Sequence, residues 1–418
     1  MEMEYKIADI SLARSGHDKI DWAWRAMPVL NALKKRYEPE QPLAGVKISA
    51  CLHLEAKTAC LLRTLQQLGA EVRAAGSNPL STQDDICAAL VEDGVSVFSH
   101  HAMSGEEYHA YLRDTLSFAP SVITDDGADL TATLLTDMPE LIAGVKGASE
   151  ETTSGVKRLK AMEAQGLLTF PVISVNDAYS KYLFDNRYGT GQSVLDGFTR
   201  TTNILVAGKV VVIAGYGWCG RGAAMRMKAM GARVIVTEIN PHRAFEAVMD
   251  GNEVMSMEQA APIGDIFLTF TGNTHVLRGE HFKLMKDNAI MGNAGHFDVE
   301  ISKPDLAALS VKKTLARANI ETFTMADGRR LNLLGEGRLV NLACGDGHPI
   351  EIMDLSFALQ LESAIYLAKH GAELKPGLMD VPAEIDSAVM ETKLSAMGIS
   401  LEKLTDEQVA YMDDWRED

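Results

Sequence analysis

The stretch "GKVVVIAGYGWCGRGAAMRMKAMGARVIVTEIN" (residues 208–240) decides the fold. An apolar run at 209–214 reads as a buried strand and opens onto Gly215-Tyr216-Gly217-Trp218-Cys219-Gly220. The small residues Gly222, Ala223 and Ala224 then begin a helix, and a second apolar run ends at Glu238. A bare glycine triplet is a weak signal, but strand, turn, helix, strand and terminal acid in one unit form a dinucleotide fingerprint. Gly215 permits the tight turn, Gly217 lets a pyrophosphate approach the backbone, and Gly220 lets helix and strand pack closely. The phosphates are expected at the helix N-terminus, where free amides and the macrodipole favour an anion. Glu238 is placed to accept from both adenosine-ribose hydroxyls, which favours NAD over NADP. Arg243, just beyond, is the opposing signal, because an arginine there can hold a 2′-phosphate.

Working outward, apolar runs alternate with helical segments: "VKISACLHL", "AEVRAAG", "GVSVFSH", "SVITDD", "GLLTFPVISVND", "DIFLTFTGN" and "NAIMGNAGH". This rhythm predicts an α/β chain with parallel sheets covered by helices on both faces. It stops near residue 349, after which "IMDLSFALQLESAIYLAKHG" and "EIDSAVMETKLSAMG" read as helices. The fingerprint lies mid-chain, so the preceding residues are expected to supply a substrate domain, with the active site in the cleft between the two.

Composition narrows the function. The 418 residues carry a formal charge of −17, which disfavours a nucleic-acid or anionic-membrane surface. "MEMEYKIADI" lacks the apolar core of a signal peptide, and no apolar run is long enough to span a membrane. The five cysteines are scattered, without metal-ligand spacing, and read as free thiols in a reducing cytoplasm. No metal is expected.

Polar groups collect where the apolar runs end, the place α/β folds hold ligands. They are His53; Asp125, Asp126 and Asp129; Glu150, Glu151, Thr152 and Thr153; Asn176, Asp177, Lys181, Asp185 and Asn186; His296; Asn341 and His348. Each has an ordinary structural reading: Glu-Glu-Thr-Thr suits a helix N-terminus, and Lys181 with Asp185 suits a surface i,i+4 pair. Beside a dinucleotide the balance reverses. Oxidation of a hydroxyl needs a base, and Lys181 or His296 could serve with a pKa tuned towards neutral. Glu151 and Asp185 suit the hydroxyls of a polyol.

"CLH", "STQDD", "DDGADLT", "SEETTSG", "VNDAYSKYLFDNRYG", "MGNAGHFDVEI" and "EGRLVNLACGDGHP", in this order with the fingerprint, resemble the S-adenosyl-L-homocysteine hydrolase family from about residue 40 to 410. The resemblance implies a split α/β substrate domain (1–184 and 347–385), a central Rossmann NAD domain (185–346) and a short helical C-terminal oligomerisation extension (386–418). It implies a cytoplasmic homotetramer acting on a nucleoside thioether of homocysteine. The implied chemistry is reversible hydrolysis through 3′-oxidation by bound NAD, elimination of homocysteine, water addition and re-reduction. By the same resemblance, Lys181 and Asp185 deprotonate and hold the 3′-hydroxyl, and Glu151 grips the ribose. His53 and Asp126 form the acid/base pair at the 4′ and 5′ carbons. His296 and Asn341 line the nicotinamide end, His348 lies beside the purine, and Thr152, Thr153, Asn186 and Asn293 join the cofactor set.

Some positions depart from the family pattern. Thr190 replaces a common Cys, Arg243 a common Asn and Asp346 a common Met. The chain stops at "DDWRED", where many members carry a Lys/Tyr-bearing segment that reaches a neighbour's NAD, so cofactor affinity or exchange is expected to differ. "CLHLEAK" replaces "CLHMT-x-E/Q", putting Glu55 and Lys57 at the purine-contacting positions. Lysine only donates and an ionised glutamate only accepts. The pair complements hypoxanthine, whose 6-oxygen accepts and whose nitrogen 1 carries a proton, and mismatches adenine. The expectation is S-inosyl-L-homocysteine as substrate, with the S-adenosyl compound as the alternative. The structural alternative is Glu55 as a helix-terminal charge and Lys57 in solvent. A 2-hydroxy-acid dehydrogenase and a non-catalytic regulatory relative are the competing classes. "SEETTSG" argues against the first, and the presence of Lys181, Asp185, Asp126 and His53 against the second.

Overall fold

The computed structural model describes residues 3–415. Seven strands form a first sheet in the order Gly377–Asp380, Pro171–Ser174, Gly147–Glu150, Val122–Asp125, Lys47–Leu52, Glu71–Gly76 and Ser96–Phe98, every neighbour parallel. The inner strands are buried along almost their whole length, as parallel strands covered by helices must be. From Lys47–Leu52 the chain adds strands towards one edge; from Val122–Asp125 it adds them towards the other. These two neighbours therefore flank a topological switch point, and the loops that leave their carboxyl ends diverge to open a crevice.

The second sheet repeats the device. Its eight strands run Ser310–Arg317, Ile320–Met325, Arg330–Leu334, Ala289–Asn293, Ile266–Thr269, Val210–Ala214, Arg233–Thr237 and Glu253–Val254, with the switch point between Val210–Ala214 and Ile266–Thr269. Ile320–Met325 is antiparallel to both of its neighbours. The sequence rhythm did not show this meander: Ser310–Arg317 is mostly exposed and reads "SVKKTLAR", so it lacks the apolar run of a core strand. Its lysines and arginine suit an unpaired sheet edge. The fold class is the expected one, a split α/β body with a central dinucleotide-binding body and a helical C-terminal segment.

The helix Ile350–His370 is buried along most of its length and lies against the first sheet. Its Asp354 carboxylate accepts from the Val29 and Leu30 amides (3.1 and 2.9 Å) and from Lys393 Nζ (3.1 Å). That ties in both Pro28–Tyr37 and the helix Ala383–Ala396. The expected boundary at 385/386 thus falls inside a helix that packs on the first body. The next helix, Asp406–Asp413, has no buried residue; the tail's last residues, 416–418, lie outside the described residues. All five cysteines are free thiols. Among the described residues, no helix is long and apolar enough to cross a membrane.

The helix Trp218–Ala229 crosses the turn Asp185–Gly189 at Gly222, where an added Cβ would run into the Arg187 carbonyl. Gly222→Ala is expected to lower stability by about 1–3 kcal/mol, the usual cost of overpacking. It should also weaken substrate binding by displacing Asp185; urea unfolding and a substrate titration of the variant check both effects.

Candidate active site

The two switch points open into one cavity of about 1260 Å³, lined by residues from both bodies. From the first sheet, His53 leaves Lys47–Leu52, Asp126 leaves Val122–Asp125 and Glu151 leaves Gly147–Glu150. In each acidic doublet the members divide the work. Asp125 accepts from the Leu130 and Thr131 amides (3.3 and 2.9 Å). Glu150 accepts from the amides of Gly127, Ala128 and Thr152, each at 2.9 Å. Both shape loops, while Asp126 and Glu151 line the cavity. Asp129 is likewise structural, accepting from the Tyr108 hydroxyl (2.6 Å).

Lys181 is buried, not a surface residue. Its ammonium donates to Asp185 Oδ1 (3.0 Å) and Asn186 Oδ1 (2.9 Å) and lies 3.6 Å from Glu151 Oε1. Ser356 Oγ donates to Asp185 Oδ2 (2.8 Å), and Gln360 Nε2 donates to Glu151 Oε2 (2.6 Å). Both supports come from the buried helix Ile350–His370, which the sequence reading treated only as a helix. The signal was there: two polar residues four apart on an otherwise apolar segment lie on one face. Glu151 Oε1 has no hydrogen-bond partner; it faces the Lys181 ammonium at 3.6 Å in the cavity that Glu151 lines.

His53 Nδ1 lies 2.7 Å from Ser81 Oγ, a second support the sequence did not single out. His53 Nε2 faces Asp126 Oδ2 at 3.4 Å, and His296 Nδ1 faces Asp126 Oδ1 at 3.5 Å. His296 arrives from the second body, on the loop after Ala289–Asn293. His348 Nε2 is 2.9 Å from Thr190 Oγ1 and 3.6 Å from Asp185 Oδ1.

The dinucleotide set is mostly where it was expected. Gly215 has φ +94°, a backbone that favours glycine. Gly217 N-caps Trp218–Ala229 with no side-chain cap, and an added Cβ there would find only Arg243 Nη1, at 3.9 Å. Uncapped first-turn amides beside an open backbone fit a pyrophosphate. Gly220 does packing work, because its added Cβ would strike the Gly215 carbonyl. Asn341 Oδ1 is buried without a partner, which fits an amide donor. Thr152, Thr153, Asn186, Glu238 and Arg243 also line the cavity, although Thr153 Oγ1 donates to Asn176 Oδ1 (3.1 Å).

Two expectations change. Asn293 does not face the cofactor. Its Nδ2 donates to the Gly295, Phe297 and Gly337 carbonyls and its Oδ1 accepts from Thr269 and Gly295, so it braces the loop that carries His296. Glu238 accepts from the Tyr216, Ile239 and Asn240 amides (2.7, 2.8 and 2.9 Å). That leaves about one of a carboxylate's four acceptor sites free, short of the two ribose hydroxyls it was expected to hold. The loop 271–274, held by Glu300 through the Thr271 and Gly272 amides, is a cavity wall the sequence reading missed.

The opening pair, Glu55 and Lys57, is buried in the same cavity wall. Glu55 N-caps Ala56–Gln67, accepting from the Lys57 and Thr58 amides (3.0 and 3.2 Å). It also lies 2.8 Å from Lys57 Nζ, while the Thr58 hydroxyl donates to the His53 carbonyl (2.6 Å). Lys57 Nζ donates to the Asp346 carbonyl at 2.7 Å. The helix-terminal reading therefore holds for Glu55, while Lys57 is not in solvent.

Residues 4–140 match the model of the S-adenosyl-L-homocysteine hydrolase family, and residues 186–347 match that of its NAD-binding domain. The chain is 58% identical over 412 residues to the adenosylhomocysteinase of Thermococcus kodakarensis, covering 99% of this chain and 98% of the relative. The chain belongs to the S-adenosyl-L-homocysteine hydrolase family. It is 55% identical over 417 residues to the S-inosyl-L-homocysteine hydrolase of Methanopyrus kandleri (100% and 98% covered). With that of Methanocaldococcus jannaschii it shares 52% over 413 residues (99% of each). Family membership makes it an NAD-dependent hydrolase of S-nucleosyl-homocysteine thioethers.

Charge in the site is set by burial and by the charged neighbours that oppose it. Burial pushes the Glu151 carboxyl up to about 7, with Lys181 pulling the other way and Asp185 adding to the rise. Burial alone would lower the Lys181 pKa, but Asp185 and Glu151 outweigh it and hold the ammonium above its ordinary value. The idea of Lys181 tuned towards neutral is thus corrected for the ligand-free chain. Asp185 resists its own burial through Lys181 and His348 and stays below the usual carboxylate range. Of the two carboxylates Asp185 lies closer to the Lys181 ammonium, at 3.0 Å against 3.6 Å for Glu151. Burial lowers His348, and it pushes His53 down to about 4 against the pull of Asp126.

Because Glu151 binds its proton more tightly folded than unfolded, its contribution favours folding below about pH 4.5 and is lost as pH rises through about 7. Glu151→Gln in the ligand-free protein should therefore be the more stable form above pH 7, by on the order of 1 kcal/mol. The difference should fade towards pH 4.5; chemical denaturation across that range checks the sign.

Proposed function

We propose that the chain catalyses reversible hydrolysis of S-inosyl-L-homocysteine to inosine and L-homocysteine. The observation that carries the base preference is the state of Lys57. Its ammonium has three protons: one is donated to the Asp346 carbonyl (2.7 Å), and a second side of the ammonium faces Glu55 Oε2 (2.8 Å) as an ion pair. The third is left for a ligand in the cavity that Lys57 lines. A buried donor suits the 6-oxygen of hypoxanthine and opposes the 6-amino group of adenine. A charge-assisted hydrogen bond of this kind contributes about 1.5–3 kcal/mol. Glu55, which caps the helix through the Lys57 and Thr58 amides and faces the Lys57 ammonium, sets the position of Lys57 rather than reading nitrogen 1 itself. That engagement also favours the second reading, S-adenosyl-L-homocysteine, because one of the two complementary contacts is gone. Overall identity does not separate the two, since relatives of both names match at similar levels.

In this reading NAD, when bound, supplies reversible oxidation at the ribose 3′ carbon. Lys181 donates to the 3′ oxygen and Asp185 keeps that ammonium charged and oriented. Glu151, nearest to neutrality, exchanges the hydroxyl proton. The 3′-ketone acidifies the 4′ proton, and the His53–Asp126 pair takes it as the carbon–sulfur bond breaks and homocysteine leaves. The same pair delivers water across the 4′–5′ double bond, and the ketone is reduced back, so the net change is hydrolysis. His296 closes this end of the cavity from the second body, and His348 covers the purine side. The exposed apolar residues of the tail, including Leu401, Leu404, Tyr411, Met412 and Trp415, support association of copies, which we read as a homotetramer.

Steady-state turnover of the inosyl and adenosyl thioethers tests the preference, with the inosyl compound expected to have the higher kcat/KM; equal or better adenosyl turnover would overturn it. Lys57→Gln should lower the inosyl-to-adenosyl ratio of kcat/KM by roughly 10–100-fold.

A further inference from the structure

We propose that His53, Asp126 and His296 form an inhibitory site for a divalent transition-metal ion of the zinc or cobalt type, which fastens the two bodies of the enzyme together. The three side chains offer ligand atoms that lie within 4.8 Å of one another. Each carboxylate oxygen of Asp126 faces one imidazole nitrogen, at 3.4 Å for His53 Nε2 and 3.5 Å for His296 Nδ1. These spacings are long for hydrogen bonds between such groups. They are close to the edge of a tetrahedron, about 3.3–3.4 Å, drawn around an ion with ligands at the usual 2.0–2.1 Å; because they run to different oxygens of Asp126, a small rotation of the carboxylate completes the site as the ion binds.

A second observation concerns the far side of the His53 ring. Ser81 Oγ has one proton, and it donates that proton to the Asn78 carbonyl (3.1 Å). At 2.7 Å from His53 Nδ1, the same hydroxyl accepts from the imidazole when its proton stays on Asn78. In that tautomer His53 carries its proton on Nδ1 and turns its Nε2 lone pair towards Asp126, 3.4 Å away. Metal-ligating histidines carry this arrangement, one ring nitrogen on the ion and the other donating to an oxygen. Two imidazoles and one carboxylate suit borderline ions such as Zn²⁺ and Co²⁺ better than Mg²⁺ or Ca²⁺, which prefer oxygen ligands.

The ligands come from two bodies. His53 and Asp126 belong to the switch point of the first sheet, and His296 to the loop after Ala289–Asn293 in the second. An ion here joins them across the cavity. It also occupies the atoms that the proposed function assigns to proton transfer at the 4′ and 5′ carbons. The inhibition part of the inference rests on that reading; the binding part does not.

The test uses the NAD-loaded enzyme, with Co²⁺ as a spectroscopic probe and Zn²⁺ for titration calorimetry and kinetics. The expected result is one ion per chain, a visible Co²⁺ spectrum of tetrahedral nitrogen/oxygen type, and Zn²⁺ inhibition competitive with the nucleoside thioether and reversed by chelator. Ser81→Ala should weaken Zn²⁺ binding by about 10–100-fold with the fold intact. Asp126→Asn and His296→Gln, which keep side-chain shape, should weaken it further. Circular dichroism of each variant separates lost ligands from lost fold. Absence of the Co²⁺ spectrum, a thiolate-type spectrum, or unchanged affinity in both His296→Gln and Asp126→Asn would overturn the site, while leaving the hydrolase reading untouched. Zn²⁺ binding without competition against substrate would overturn the inhibitory role.

Discussion

Two largely parallel sheets turn their carboxyl edges, each at its switch point, into one shared cavity, and the rest of the site follows from that constraint. A strand end is where a parallel sheet stops hydrogen-bonding, so its loops must find partners for their own amides. Asp125 and Glu150 supply them for the first sheet and Glu300 for the second. Only when those amides are satisfied can the neighbouring Asp126 and Glu151 face inwards with acceptor atoms to spare. The buried cations obey the same rule. Among the described residues Lys57 and Lys181 are the buried lysines, and each is held by a carboxylate and a further oxygen. Removing one partner of such a group leaves an uncompensated buried charge, which is far more costly than the pair itself is stabilising.

Much of this was legible in the sequence, for physical reasons. Parallel strands covered on both faces must be continuously apolar, so "KVVVIAG" and "SVITDD" announce themselves, and the polar residues that end them mark the cavity. Glycines that cannot be replaced, such as Gly215 and Gly220, are legible because their backbone conformation or packing excludes a Cβ. Other features depend on contacts no local pattern encodes. Which member of Asp125-Asp126 or Glu150-Glu151 braces a loop is decided by how the loop folds back, onto the nearby Leu130 and Thr131 amides for Asp125 and onto the distant Gly127 and Ala128 amides for Glu150. Asn293 and Asn341 both follow an apolar run, yet one braces a loop and the other keeps a free oxygen. Ser356, Gln360 and Ser81 act at second hand, holding Asp185, Glu151 and His53, and so were missed.

Glu55 and Lys57 show the same division between local and distant information. Position alone gave both to the purine. The structure assigns Glu55 to the helix start and to Lys57, which leaves the lysine as the group with a proton to offer. In the proposed reading the preference turns on one donor beside the 6-position of the base, where adenine and hypoxanthine differ in hydrogen-bonding sense.

The most direct measurement is a crystal structure of the NAD-loaded enzyme with inosine bound. The account predicts Lys57 Nζ within hydrogen-bonding distance of the hypoxanthine 6-oxygen, about 2.7–3.2 Å, while it keeps its contacts to Glu55 and the Asp346 carbonyl. A 6-oxygen that meets backbone amides or water, with Lys57 turned only towards Glu55 and Asp346, would contradict it.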